Sequence, residues 1–310
     1  MSDLRLLSCR GGEFIARKIA QRLDVELTPV EILDFSNENI FVKILASVRE
    51  ADCFVVQGAA PPLNHGIMEL LIMLDALKLA SAKRLTAVLP YFPYSRSDKK
   101  DQPRISVTAR LVADLLEAAG CSRVITMNLH SPQVQGFFRY PTDLLYATAV
   151  ILDYYRGMDL SNAVAVSPDA GSAKLVEKYA RGLDIPMAIL DKRRYSNREE
   201  AEILRIVGDV EGKDAIVFDD EVATGGSLIE TTKALISHGA VSVRACCVHG
   251  VLAGQARSLI EQSPLKELVV TDTFPVQEGG KVKVLSVAHL IAEAIRAEHA
   301  GTSVTSLSPM

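Results

Sequence analysis

A chain of 310 residues, 48% apolar and 23% charged, is long enough to bury about two domain-sized cores, which excludes a disordered module or a disulfide-stapled mini-protein. Its 34 Lys and Arg against 38 Asp and Glu leave a net charge of −4, which argues against generic nucleic-acid binding and requires any anion site to be a local cluster. The five cysteines form no C-x-x-C pair, the start lacks the basic-then-apolar order of a secretory signal, and the apolar run 67–74 is broken by Glu69. The expectation is a cytoplasmic protein with reduced thiols and no membrane span.

In chain order, β-rich runs are predicted at 4–8, 53–57, 85–89, 124–127, 163–166, 187–190, 215–218, 241–248 and 268–271. Helical patterns fall between them at 12–23, 64–80, 107–119, 172–182, 227–239 and 286–299. Short strands alternating with amphipathic helices predict βαβ units and a mainly parallel sheet. The strands read as continuous apolar runs, as they do when helices cover both faces. The alternation runs twice with no Pro/Gly/Ser-rich linker, giving two packed domains, 1–146 and 147–310, with the last helix expected to pack on the first. The small polar tail from Gly301 is expected to fray.

The strongest chemical signal is Ala215-Ile-Val-Phe-Asp219-Asp220-Glu-Val-Ala223-Thr224-Gly225-Gly226-Ser227. Four apolar residues make a buried strand, and two carboxylates sit toward its C-terminal end, where open α/β sheets bind ligands. Thr-Gly-Gly-Ser then feeds a helix. Glycines let successive N–H groups turn toward one anion, and the helix N-terminus adds partial positive charge. The bland alternative is a βα turn capped by Ser227. Residues 91–104 form a proline-broken basic loop carrying Arg96, Lys99, Lys100 and Arg104 against Asp98 and Asp101, suited to covering a polyphosphate. His130 and Asp169 each follow a strand; a histidine or a hard carboxylate there can take a metal or polyphosphate, or be merely structural. Lys192, Arg193 and Arg194 follow the strand 187–190, where cations can neutralise a transferring group or form a solvated charge run. The remaining histidines show no metal spacing.

Residues 215–227 resemble the phosphoribosyl-pyrophosphate motif of type I phosphoribosyltransferases. Ala87-Val-Leu-Pro-Tyr-Phe-Pro-Tyr-Ser-Arg-Ser-Asp-Lys-Lys100, Leu129-His-Ser-Pro-Gln-Val-Gln-Gly-Phe-Phe138, Val166-Ser-Pro-Asp-Ala-Gly171 and Asp191-Lys-Arg-Arg194 narrow the resemblance to the ribose-phosphate pyrophosphokinases, from about Phe35 to Ile295. The resemblance implies an α/β fold of two pseudo-repeated phosphoribosyltransferase-like domains, each a mainly parallel sheet flanked by helices. It implies an Mg²⁺-dependent enzyme that transfers the β,γ-diphosphoryl group of ATP to ribose 5-phosphate, in a homo-oligomer, hexameric by resemblance. The roles it carries over are catalysis by Lys192 and Arg194, and ribose 5-phosphate binding by Asp219, Asp220, Ala223, Thr224, Gly225, Gly226 and Ser227. ATP falls to Phe35, Asn37, Asn39, Arg96, Ser97, Asp98, Lys99 and His130, and Mg²⁺ to His130 and Asp169.

The chain departs from the pattern in places. The family's Phe-Ser-Asp-Gly-Glu is Phe35-Ser36-Asn37-Glu38-Asn39, its Arg-Gln-Asp is Arg96-Ser97-Asp98, its Asp-Leu-His is Asn128-Leu129-His130, and Ala223 stands where the sugar loop carries Asp. These changes remove negative charge and amide contacts around the nucleotide and metal while leaving the sugar loop and Lys192. They support an alternative, a catalytically weakened paralogue that binds nucleotide or ribose phosphate and regulates an active partner. A plain phosphoribosyltransferase shares the sugar loop but leaves the duplicated architecture and Lys192 unexplained.

Overall fold

The computed structural model describes residues 3–193 and 202–307, the side chains of 192–193, 202–204 and 306 apart. In chain order the elements are β1 (Leu4–Ser8), α1 (Glu13–Leu23), β2 (Val30–Asp34), β3 (Ile40–Ile44), β4 (Asp52–Val56), α2 (Leu63–Leu79), β5 (Arg84–Leu89), α3 (Thr108–Ala118), β6 (Arg123–Met127) and β7 (Thr142–Leu145). They continue with α4 (Thr148–Arg156), β8 (Ala163–Ser167), α5 (Ala173–Leu183), β9 (Met187–Arg193), β10 (Glu202–Val207), β11 (Asp214–Val222), α6 (Gly226–Ser237), β12 (Ser242–Gly250), α7 (Ala256–Gln262), β13 (Glu267–Thr271), β14 (Val282–Leu285) and α8 (Ala288–Ala300). Short 3₁₀ turns fill Arg10–Gly12, Pro132–Phe137 and Thr305–Leu307.

The chain divides into two compact units. The first is Met1–Tyr146 with Thr273–Pro275 and Val287–Met310, so α8 belongs to it; the second is Ala147–Asp272 with Val276–Ser286. In the first unit five parallel strands lie in the order β1-β4-β5-β6-β7. Successive strand residues point to opposite faces. Leu7, Cys53, Val55, Ala87 and Val124 share a core with Met73, Leu74 and Leu77 of α2 and Val112 and Leu116 of α3. The intervening residues Leu6, Phe54, Val56 and Val88 are equally buried, as are Ile15 and Ile19 of α1 and Ile291 and Ile295 of α8, two helices that pack on each other. The end of α8 is fastened by charge. His299 Nδ1 lies 2.8 Å from Asp52 Oδ2, Arg84 also pairs with the fully buried Asp52, and Arg123 joins Glu298 at 2.8 Å and Asp143 at 2.8 Å.

The β2–β3 hairpin is a separate antiparallel ribbon. Val30, Ile32, Val42 and Ile44 pack against the α2–α3 core, while Leu33, Phe35 and Phe41 stay exposed.

In the second unit seven strands run β10-β9-β8-β11-β12-β13-β14, parallel except that β10 pairs antiparallel to β9. The chain leaves β8 toward β9 and β10, then returns to place β11 on the opposite side of β8. Strand order therefore reverses between β8 and β11, which opens a crevice beyond their carboxyl ends. In the first unit the order advances in one direction, without such a reversal. Val217, Leu228, Leu235, Ala245, Ile260 and Leu268 build the second core.

The nine predicted strands and six predicted helices are present, with ends displaced by a few residues. The hairpin β2–β3, β7, β10, β14, α4 and α7 were not expected. Val-Glu-Ile-Leu-Asp and Val-Lys-Val-Leu alternate rather than run apolar, because they lie in a ribbon with one open face and at a sheet edge. All five cysteines are buried free thiols. No helix among the described residues is long and apolar enough to cross a membrane.

Candidate active site

The second unit brings Asp169, Asp219, Asp220 and residues 223–227 to the β8/β11 crevice. β11 is longer than expected and continues to Val222, so Asp219 and Asp220 sit in its last four residues. Phe218, just before them, is fully buried. It stacks on Tyr179 of α5 at 4.5 Å between centroids and meets Tyr155 of α4 edge-on at 5.6 Å. This aromatic clamp fixes where the carboxylates emerge. Asp219 Oδ1 accepts the Asp220 N–H at 2.9 Å. Burial first, then the Asp220 charge and more weakly that of Asp169, push the Asp219 carboxyl well above the usual carboxylate range. The Asp219–Asp220 pair therefore forms an acidic setting that favours hydroxyl donors. Asp169 follows β8 and is exposed; its Oδ1 accepts the Ser172 N–H at 2.9 Å, and its carbonyl accepts the Ser167 hydroxyl at 2.7 Å.

The loop from Ala223 to Ser227 lies between β11 and α6. The Leu252 and Ala253 N–H groups hold the Val222 and Ala223 carbonyls at 3.2 and 2.9 Å. Gly225 has φ +81°, the left-handed conformation that favours glycine, and a Cβ there would meet Ala256 and Ile260 only at ordinary contact distance. Gly225, not Ser227, is the N-cap of α6, and a glycine brings no capping side chain of its own. A Cβ on Gly226 would meet only Thr224 Oγ1, at 4.0 Å, so the mouth of the loop is open. A helix N-terminus behind an open, glycine-shaped loop suits a phosphate.

Lys192 lies on β9, in register with Ile203 of β10; β9 also pairs with β8, with Ile189 beside Ser167. Arg194 lies outside the described residues. Asp219, Asp220, Asp169 and the 223–227 loop are thus brought together at the carboxyl ends of adjacent strands, and the strand carrying Lys192 is the next neighbour.

The other predicted residues belong to the first unit. Phe35, Asn37 and Asn39 form the exposed hairpin tip. Asn37 Oδ1 accepts the Asn39 N–H at 3.2 Å, closing the turn, and Glu38 has φ +64° where the resembled pattern has glycine. Residues 91–107 form neither helix nor strand. Buried Phe92, edge-on to Phe138 at 5.2 Å, roots this segment. Ser97 ties it to the start of α3: its hydroxyl accepts the Thr108 N–H at 3.2 Å and its carbonyl accepts the Ala109 N–H at 3.2 Å. Arg96 and Lys99 are exposed and Asp98 is half-buried. His130 is exposed beyond β6, after Asn128, whose φ is +41° and whose N–H donates to the Leu145 carbonyl at 3.0 Å. Sequence reading missed the clamp of Phe218 by Tyr155 and Tyr179. The signal for it was an aromatic preceding the carboxylates and Tyr179 in the predicted helix 172–182; Tyr155 lies in α4, which was not expected.

A doubly wound sheet with a glycine-shaped loop and paired carboxylates at its switch point defines an α/β fold with a candidate ligand crevice. Residues 4–120 match the N-terminal domain of ribose phosphate pyrophosphokinase, and residues 195–308 match the phosphoribosyl synthetase-associated domain. The chain is 45% identical over 310 residues to a ribose-phosphate pyrophosphokinase of Caldanaerobacter subterraneus, covering 99% of this chain and 98% of that protein. It is 43% identical over 308 residues to that of Bacillus subtilis, covering 99% and 97%. The crystal structure of phosphoribosylpyrophosphate synthetase from Mycobacterium smegmatis superposes with a TM-score of 0.92 at 40% identity, covering 97% of this chain and all of that one. The chain belongs to the ribose-phosphate pyrophosphokinase family.

Proposed function

We propose that the protein is a ribose-phosphate diphosphokinase: the anomeric hydroxyl of ribose 5-phosphate attacks the β-phosphorus of ATP, AMP leaves, and phosphoribosyl pyrophosphate forms. Full-length identity above 40% supports this reading over a regulatory paralogue. The observation that carries it in the fold is the Asp219–Asp220 pair beside the glycine-led start of α6, at the point where strand order reverses.

Asp219 and Asp220 accept hydrogen bonds from the sugar hydroxyls, which a carboxylate does well in a desolvated setting. Ala223, Thr224, Gly225, Gly226 and Ser227 cradle the 5-phosphate. In phosphoryl transfer, positioning and cations matter more than a covalent nucleophile. Lys192, with Arg194, meets the charge that builds on the transferring group. Arg96, Ser97, Asp98 and Lys99 cover the nucleotide, and His130 and the hairpin residues Phe35, Asn37 and Asn39 contact it.

No group of three or more His, Cys, Asp and Glu side chains suited to a metal occurs among the described residues. An ion that arrives with its nucleotide needs only one or two protein oxygens, and the exposed Asp169 carboxylate fits that requirement. By resemblance Asp169 in the second unit and His130 in the first would each help to hold Mg²⁺, which would supply positive charge to the polyphosphate. We take the two compact units as the two domains, with the boundary near Tyr146 and α8 counted with the first, and 91–104 as the loop over the nucleotide. A homo-oligomer, a hexamer by resemblance, is supported by the exposed apolar hairpin face of Leu33, Phe35 and Phe41, and a cytoplasmic setting by five free thiols. Mixing protein, ATP, Mg²⁺ and ribose 5-phosphate tests the reading. AMP must form in step with the sugar product; nucleotide turnover that does not depend on the sugar would refute it.

A further inference from the structure

The first turn of α2 carries an arrangement that none of these roles uses. Arg10 donates its backbone N–H to Glu69 Oε1 at 2.6 Å and its Nε–H to Glu69 Oε2 at 2.7 Å. Its Nη1 and Nη2 donate to Asp34 Oδ2 and Oδ1 at 2.6 and 2.8 Å. Glu69, on α2, is 1% exposed, so the guanidinium spans from a buried carboxylate to an exposed one. His65 Nε2, in the first turn of α2, lies 3.0 Å from Asp34 Oδ1. Asp34 is the last residue of β2, and Phe35 opens the hairpin tip. One residue before His65, Asn64 Oδ1 accepts the Tyr94 hydroxyl at 2.6 Å. Tyr94 stands two residues before Arg96 in the basic loop and has φ +61°.

The base of the hairpin and the root of the basic loop are therefore fastened to the same helical turn. A bidentate guanidinium–carboxylate pair fixes direction as well as distance, which a lysine cannot reproduce. The Arg10 guanidinium, helped by His65, holds the Asp34 carboxyl down to about 2, so the clamp keeps its charge across the working range. Glu69 stood out in the sequence as the charge that breaks the apolar run 67–74, and Arg10 is the partner that makes its burial tolerable.

We propose that Arg10, Asp34, Glu69, His65, Asn64 and Tyr94 form a positioning junction that sets the hairpin tip and the basic loop for nucleotide binding without touching the nucleotide. This rests on the reading of the tip and loop as nucleotide contacts. Asp34→Asn removes the charge of the hairpin arm while leaving Arg10 to compensate Glu69, and Tyr94→Phe removes one hydroxyl of the loop arm. Each is expected to raise the KM for ATP by roughly three- to tenfold, the worth of a hydrogen bond or ion pair, with the KM for ribose 5-phosphate and kcat within about twofold. The double variant is expected to depart from the product of the single effects, because both arms meet at one turn. Thermal melting and Phe35→Ala accompany the assay. If Phe35→Ala raises the KM for ATP but Asp34→Asn and Tyr94→Phe do not, or if they only lower the melting temperature, the junction is overturned and the nucleotide reading stands. If Phe35→Ala also leaves that KM unchanged, the reading of the hairpin itself fails.

Discussion

Gly225→Ala separates a phosphate-binding loop from an ordinary turn. The added Cβ meets Ala256 and Ile260 no closer than 3.7 Å, so sterics contribute nothing and the whole cost is the φ of +81°. Holding a non-glycine residue in the left-handed region costs about 1–2 kcal/mol. If the loop keeps its shape, that cost appears as stability, about 2–4 °C of melting temperature per kcal/mol for a unit of this size. If the loop relaxes to escape the strain, the competent conformer becomes a minority and ribose 5-phosphate affinity falls by the same free energy, roughly 5- to 30-fold. Gly226→Ala is the companion. Its φ is not left-handed and its Cβ meets only Thr224 Oγ1 at 4.0 Å, so folding is unharmed while the methyl crowds the loop mouth. Calorimetric titration with ribose 5-phosphate beside thermal melting is the assay. Gly225→Ala is expected to lose stability, affinity or both, and Gly226→Ala affinity alone. Unchanged affinity in both variants, with Gly225→Ala destabilised, would show that the loop is only a turn.

Three further outcomes are expected. Lys192→Ala lowers kcat by at least ~100-fold with ribose 5-phosphate affinity within a few-fold, because a cation aimed at transition-state charge is worth about 3–4 kcal/mol; steady-state kinetics with titration of the sugar decides it. Asp220→Asn weakens ribose 5-phosphate more than ATP. It also removes a charge that raises the Asp219 pKa, so the pH at which sugar affinity is lost on acidification moves down, a shift read from binding at several pH values. Glu38→Gly relieves a φ of +64° at the hairpin tip and raises stability by up to ~1 kcal/mol, checked by denaturant melting.

What could be read from the sequence followed burial. β4, β5, β6, β8 and β11 sit inside their sheets, so their apolar runs declared them, and the Asp219–Ser227 segment declared itself because a carboxylate pair, two glycines and a helix start occur in one stretch. The hairpin escaped because Val30, Ile32, Val42 and Ile44 face the core while Leu33 and Phe41 face outward, a period of two with apolar residues on both faces. The alternative of a turn capped by Ser227 followed residue type, which favours Ser, while the backbone places Gly225 at the N-cap with φ +81°. Pairings made by topology were invisible: Arg10 with Glu69 across 59 residues, and Phe218 with tyrosines from two helices. The reversal between β8 and β11 likewise depends on strand order, which the linear chain does not display.

The central claim is that both terminal phosphates of ATP move together to the sugar. ATP labelled separately at the β- and γ-phosphorus, incubated with Mg²⁺ and ribose 5-phosphate, tests it most directly. The account predicts that both labels appear in the phosphoribosyl product and that the AMP carries neither. Recovery of the β label in ADP, with the γ label on the sugar or in free phosphate, would contradict it.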